Sequence, residues 1–170
     1  MPRQTRVSFV SLGCAKNLVD SEKMLGQLAE AGCAITADEN HADVTVINTC
    51  GFLDASRVEA DQVIREAVER KQAGTLKRVV VAGCLVQRDK EAILERVPGI
   101  DALVGVNNRD DIVRAVLGDA GRAGSARHSI PERKRRTNKN GAPDLYLADY
   151  HPFVQIDTAR LRLTPRHYAY

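Results

Sequence analysis

Three short apolar runs, each closed by a cysteine, constrain this chain more than anything else in it. VSFVSLG ends at Cys14, DVTVINT at Cys50 and RVVVAG at Cys84. Each reads as a buried strand, rich in Val and ended by small or turn-forming residues. Between them the apolar spacing becomes helical, so strand and helix alternate. That order implies a parallel sheet with helices on both faces.

The expected fold class is α/β, a flavodoxin-like doubly wound parallel sheet of about five strands in the order 2-1-3-4-5. The expected strands are Arg6–Leu12, Ala34–Ala37, Val44–Asn48, Val79–Gly83 and Ala102–Val104. A helix over Asn17–Ala31 places Leu18, Met24, Leu25 and Leu28 on one face and stops at Gly32. A long helix over Asp54–Ala73 carries Ala60, Val63, Ile64, Ala67 and Val68 at helical spacing, with Ser56 and Glu59 resembling a capping box. A third helix is expected from about Asp89 to Arg96, and a last one, capped by Asn108, carries Ile112, Val113, Val116 and Leu117. The tips of parallel strands point one way, and neighbouring strands lie about 4.8 Å apart. Thiols 36 and 34 residues apart in sequence are thereby expected at one place in space, in the crevice where such sheets bind ligands.

Domain organisation follows charge and composition. Residues 1–117 hold 15 Lys and Arg against 17 Asp and Glu, whereas residues 118–170 hold 10 against 5. The basic character of the chain therefore belongs to its tail. Residues 1–117 are read as the folded domain. Residues 118–143, which include Arg133–Arg136, are read as a flexible basic linker. Residues 144–170 regain Leu, Tyr and Val and are read as a lead-in to a partner domain. No run of about 18 apolar residues exists to span a membrane. The N-terminus lacks signal-peptide architecture, so a cytoplasmic, reducing location is expected. There, cysteines bind metal or do chemistry more often than they form disulfides.

Of the four cysteines, Cys33 falls between the first helix and the second strand, at the other end of the sheet. It reads as a small buried hydrophobe. For Cys14, Cys50 and Cys84 the bland alternative is three buried thiols at strand–helix junctions. Zinc fits poorly, because no C-x2–4-C pair is present and His41, the one histidine in the first 117 residues, precedes the third strand. An iron–sulfur cluster with three protein thiolates fits better. A four-iron cluster normally takes four, so one iron would remain open to a substrate, a sulfur donor or a cofactor. Gly13, Gly51 and Gly83 let backbone approach closely, and Asn48, Thr49 and the backbone N–H groups of the loops are read as donors to the sulfurs that tune their potential. A different alternative is a non-catalytic module binding a flavin or nucleotide at its strand tips. Neither G-x-G-x-x-G nor a P-loop follows the first strand.

Gly13-Cys14-Ala15-Lys16-Asn17 with Asp20-Ser21-Glu22, Asn48-Thr49-Cys50-Gly51 and Ala82-Gly83-Cys84 resemble the N-terminal domain of the radical-SAM methylthiotransferases. The wording GCAKNLVDSE and the closing LTPRHYAY are similar to the branch that modifies a ribosomal protein, with the tRNA-adenosine branch as the alternative. The resemblance implies that Cys14, Cys50 and Cys84 are the metal and cofactor ligands of an auxiliary [4Fe–4S] cluster. It implies S-adenosylmethionine and a second cluster in the full enzyme. The acceptor it implies is the β-carbon of an aspartate in a small-subunit ribosomal protein. The chain has no C-x3-C-x2-C motif, so no catalytic residue of the radical step is expected within it, and the isolated chain is expected to be inactive.

Other residues draw simpler expectations. Asn17 is read as the cap of the first helix or as a group supporting the cluster. Asp20 and Glu22 are read as first-turn carboxylates favoured by the helix dipole. Lys16 is read as a solvated surface charge. The run Arg133–Arg136 is read as a solvated linker with ribosomal RNA contact as the alternative. Aromatics are only 4% and are not interleaved with the basic run, which argues against a stacking platform for single-stranded RNA.

Overall fold

A computed structural model describes residues 4–51, 54–118 and 141–147. Its sheet contains β1 (Arg6–Ser11), β2 (Ala34–Thr36), β3 (Val44–Thr49), β4 (Arg78–Gly83), β5 (Ala102–Gly105) and β6 (Asp144–Tyr146), all parallel, in the order β2-β1-β3-β4-β5-β6. The flavodoxin-like order is as expected, with one strand more. The helices are α1 (Ala15–Glu30), α2 (Asp54–Gln72), α3 (Cys84–Asp89), α4 (Ala92–Arg96) and α5 (Ile112–Leu117), with short 3-10 turns at Glu39–His41 and Val106–Asp111.

Residue alternation builds two cores. Val79 and Val81 of β4 and Leu103 of β5 pack on Ile64, Val68, Leu85 and Ile93. Val80 and Ala82 of β4 and Val104 of β5 face the other way, onto Met24, Leu28, Ile112 and Val116. Both faces of the central strands are covered, so β3 is buried at every position. This is why β4 is apolar from Val79 to Ala82 rather than alternating, while the polar residues of β3, Thr45, Asn48 and Thr49, are buried with hydrogen-bond partners.

Three helix ends differ from expectation. The expected helix over Asp89–Arg96 begins earlier, at Cys84, and is split by Lys90, whose φ is 49°. Asn108 does not cap α5; its Nδ2 donates to Asp111 Oδ2 at 3.0 Å within a 3-10 turn. Ser56 lies inside the first turn of α2 rather than ahead of it. The sixth strand is tied by long-range contacts. Asp144 N donates to Asp101 O at 2.8 Å, and Arg78 bridges Asp144 at 2.6 Å while donating to Ala115 O at 2.7 Å. Arg133–Arg136, most of the expected linker and the closing segment lie outside the described residues.

Candidate thiol site at the strand tips

Register places the thiols. The last β3–β4 pair is Thr49↔Gly83, so Cys50 and Cys84 are the next residue on each of two neighbouring strands. On the other side of β3, Ser11 pairs with Asn48, and Cys14 follows three residues later at the N-terminus of α1. All three expected cysteines therefore emerge at one end of three adjacent strands. Cys14 is exposed, Cys50 is buried, Cys84 is half-buried, and all are free thiols. Cys33 is a buried member of the α1-side core, and His41 sits on the surface before β3, paired with Asp38, both at the far end as expected.

Glycines bring the three turns together. Gly13 has φ +127°, and a Cβ there would overlap the Cys50 Cβ and come within 3.3 Å of its Sγ. A Cβ on Gly51 would lie 2.9 Å from the Leu85 Cα and 3.3 Å from the Cys84 carbonyl carbon. Gly83 has φ +102° and ψ −160°, a conformation open essentially to glycine alone. A side chain there would run into Asn48 and the Thr49 backbone. The turn carrying Cys14 thus rests on Cys50, and the turn carrying Cys50 rests on the start of the helix that opens with Cys84. Arg88 adds a brace by donating to Gly51 O at 2.8 Å.

Electrostatics separate the thiols. The backbone N–H of Asn17 holds Cys14 below the ordinary thiol value against the opposing cost of desolvation, helped by the N–H groups of Lys16 and Cys14 and by the Lys16 charge. Burial pushes Cys84 up; the Lys16 charge opposes this, and Cys50, Asp20 and Cys14 add to the upward push. Cys84 thus sits within electrostatic reach of both other thiols and of the α1 charges. Burial alone raises Cys33.

The neighbours of the thiols have more structure than their sequence suggests. Backbone N–H groups do reach the Cys14 sulfur, but the side chains of Asn48 and Thr49, expected as donors to sulfur, are given to Asn17 O, Ser21 Oγ and Ala82 O. Lys16 is exposed and paired with Asp20 at 2.6 Å, and Asp20 also accepts from the buried Arg109 at 3.1 Å. Because α1 starts at Ala15, Asp20 and Glu22 fall in its second turn. Glu22 is fully buried, so the helix dipole does not account for either. Asn17 is buried as well and does not cap α1, since Cys14 occupies that position. Arg109 is a site neighbour that sequence reasoning misses; an isolated Arg 89 residues from Asp20 leaves no local pattern to detect. Among the described residues, no three His, Cys, Asp or Glu side chains are spaced to hold one metal ion, and no helix is long and apolar enough to cross a membrane.

Residues 6–105 match the family described as Uncharacterized protein family UPF0004. The ribosomal protein uS12 methylthiotransferase RimO of Solibacter usitatus is 40% identical over 165 residues, covering 97% of this chain and 30% of that protein. The protein of the same name from Symbiobacterium thermophilum is 47% identical over 116 residues, covering 68% of this chain and 24% of that protein. The one from Trichlorobacter lovleyi is 39% identical over 165 residues, covering 97% and 33%. The chain spans about a third or less of the length of these relatives.

Proposed function

The chain belongs to the UPF0004 family, and on that premise we propose that it is the cluster-binding N-terminal domain of a radical-SAM methylthiotransferase acting on ribosomal protein uS12. Cys14, Cys50 and Cys84 are the ligands of an auxiliary [4Fe–4S] cluster in this reading. S-adenosylmethionine serves the full enzyme, and the acceptor is the β-carbon of an aspartate. The relatives' names favour the ribosomal branch over the tRNA branch.

The observation that carries the reading is the meeting of three cysteine-bearing turns at the ends of β1, β3 and β4. Their spacing does not suit one ion. A four-iron cluster would be held by the thiolates of Cys14, Cys50 and Cys84 without requiring all three to converge on one ion. The donor set is also right, since three thiolates are soft ligands suited to iron–sulfur chemistry. When bound, such a cluster supplies an iron without a protein ligand, a place to hold sulfur for transfer. This chain's residues bind and shelter. Cys50 anchors from the buried side, Cys14 presents an acidified thiol from the open side, and Lys16 places a positive charge beside the thiolates. The four cysteines contain no C-x3-C-x2-C set, so the second cluster of this reading lies outside these residues.

Anaerobic reconstitution with iron and sulfide tests the proposal, with iron and sulfide analysis and EPR after reduction. About four irons per chain are expected for a [4Fe–4S] site, lost in Cys14→Ala, Cys50→Ala and Cys84→Ala and kept in Cys33→Ala. Iron that is absent from the wild type, or that survives all three substitutions, overturns it.

A further inference from the structure

We propose that Asn48, clasped with Asn17, is the positioning residue that sets the spacing of the three cysteine turns; as a statement about a cluster site, this rests on the reading above. Asn48 is fully buried and Asn17 nearly so. Their amides are exchanged. Asn17 Nδ2 donates to Asn48 O at 3.1 Å, and Asn48 Nδ2 donates to Asn17 O at 3.0 Å. Asn17 Nδ2 also donates to Leu12 O at 2.6 Å, pinning the chain just before Gly13 and Cys14. Asn48 Nδ2 also donates to Ser21 Oγ at 2.8 Å, and Ser21 in turn donates to Ser11 Oγ at 2.8 Å.

The other end of the same amide reaches the third turn. Asn48 Oδ1 is buried and accepts no hydrogen bond among the described residues. It abuts Gly83, the residue before Cys84, so closely that a Cβ there would overlap it. The backbone of Asn48 leads through Thr49 to Cys50, and Thr49 Oγ1 bonds Ala82 O at 2.7 Å. One side chain therefore touches the Cys14 turn through Asn17, carries the Cys50 turn on its own backbone and bears on the Cys84 turn through Gly83. Two buried asparagines joined reciprocally across 31 residues leave little slack, because each lost bond strands a buried partner.

Two readouts test this in the full chain with Cys33→Ala as background. The first needs no cluster: the rate at which dibromobimane bridges neighbouring thiols in the metal-free protein. The second is iron content and EPR line shape after reconstitution. Asn48→Ala and Asn17→Ala are expected to slow bridging by about tenfold, the population shift one buried hydrogen bond can hold, and to lose iron or broaden the EPR signal. Ser8→Ala is the control. Its Oγ lies 2.8 Å from Thr45 Oγ1, buried between the same two strands toward their other end. It is expected to lower stability while leaving bridging and EPR unchanged. Should Asn48→Ala fail to fold, Asn17→Ala, which leaves the Asn48–Ser21 bond in place, is read by the same assays.

Bridging and iron retained at wild-type values in the asparagine variants overturn the inference, as does an equal loss in Ser8→Ala. Bridging that depends on Asn48 in a wild type that takes up no iron upholds the positioning role and rejects the cluster reading. Iron uptake that depends on the cysteines but not on Asn48 does the reverse.

Discussion

Replacing Gly83 with alanine tests the packing argument at its tightest point. Two costs add. The first is backbone strain. At φ +102° and ψ −160° an L-residue is held in a region left almost wholly to glycine, which costs about 1–3 kcal/mol. The second is overlap. The new methyl would collide with Asn48 Oδ1 and lie 2.5 Å from Thr49 O and 2.9 Å from Thr49 N. Two of those atoms are backbone held in the sheet and cannot swing aside, so overpacking adds about 1–3 kcal/mol. The sum is about 2–6 kcal/mol, a large share of a typical stability of about 5–15 kcal/mol. With a urea m value near 2 kcal/mol/M, the midpoint falls by about 1–3 M. Gly74→Ala separates the two costs, because Gly74 has φ +80° and a methyl there would meet no atom within 4 Å. It carries strain alone, about 1–2 kcal/mol. Urea unfolding of the two variants beside wild type decides the matter. A Gly83→Ala midpoint no lower than that of Gly74→Ala would refute the claim that the third turn is wedged against Asn48.

Two further predictions concern groups away from the site. Because burial raises Cys33 in the folded chain, the unfolded chain gives up that proton first as pH rises. The stability tied to the protonated thiol is therefore complete below the ordinary thiol value of 9.0 and declines as pH climbs through it toward the folded value; urea titrations across this range should lose part of their alkaline slope in Cys33→Ala. Arg78→Ala removes the bridge to Asp144 and the bond to Ala115 O, worth about 1–3 kcal/mol as partly buried, charge-assisted hydrogen bonds; amide exchange should accelerate in β6 while β3 and β4 stay protected, and equal acceleration throughout the sheet would count against a locally held strand.

The central architecture was legible because its signal is physical and local. A strand buried on both faces must be apolar or have its polar groups bonded; Arg78–Gly83 takes the first course, and Val44–Thr49 combines Val44, Val46 and Ile47 with Thr45, Asn48 and Thr49, which are buried and hydrogen-bonded. The convergence of Cys14, Cys50 and Cys84 at one end of the sheet followed from topology, since parallel strands leave all their exits together. Features decided by distant partners were not legible. Cys84 as the first residue of α3 carries no cap signal, and the break at Lys90 is made by a residue that seldom adopts positive φ. Asp144-Leu145-Tyr146 is too short to show a period, and Asp101 and Arg78 hold it from elsewhere. Asn17 and Asn108 have the composition of caps, but one is buried in a clasp and the other serves a 3-10 turn. Asp20 has the composition of a dipole partner, yet its partner is Arg109, 89 residues away.

The parallel register also has a consequence for how the protein is made. Cys14 and Cys84 are 70 residues apart in the chain, and their turns meet only after β4 has paired with β3. At synthesis rates of about 5–20 residues per second, the first thiol waits roughly 4–14 s for the third to be polymerised. For the first 34 residues of that interval Asn48 has not been made, for the first 36 Cys50 has not, and the Cys84 turn is lacking to its end. A nascent chain of this topology therefore presents Cys14, exposed even in the finished fold, for a time without the two turns that later flank it.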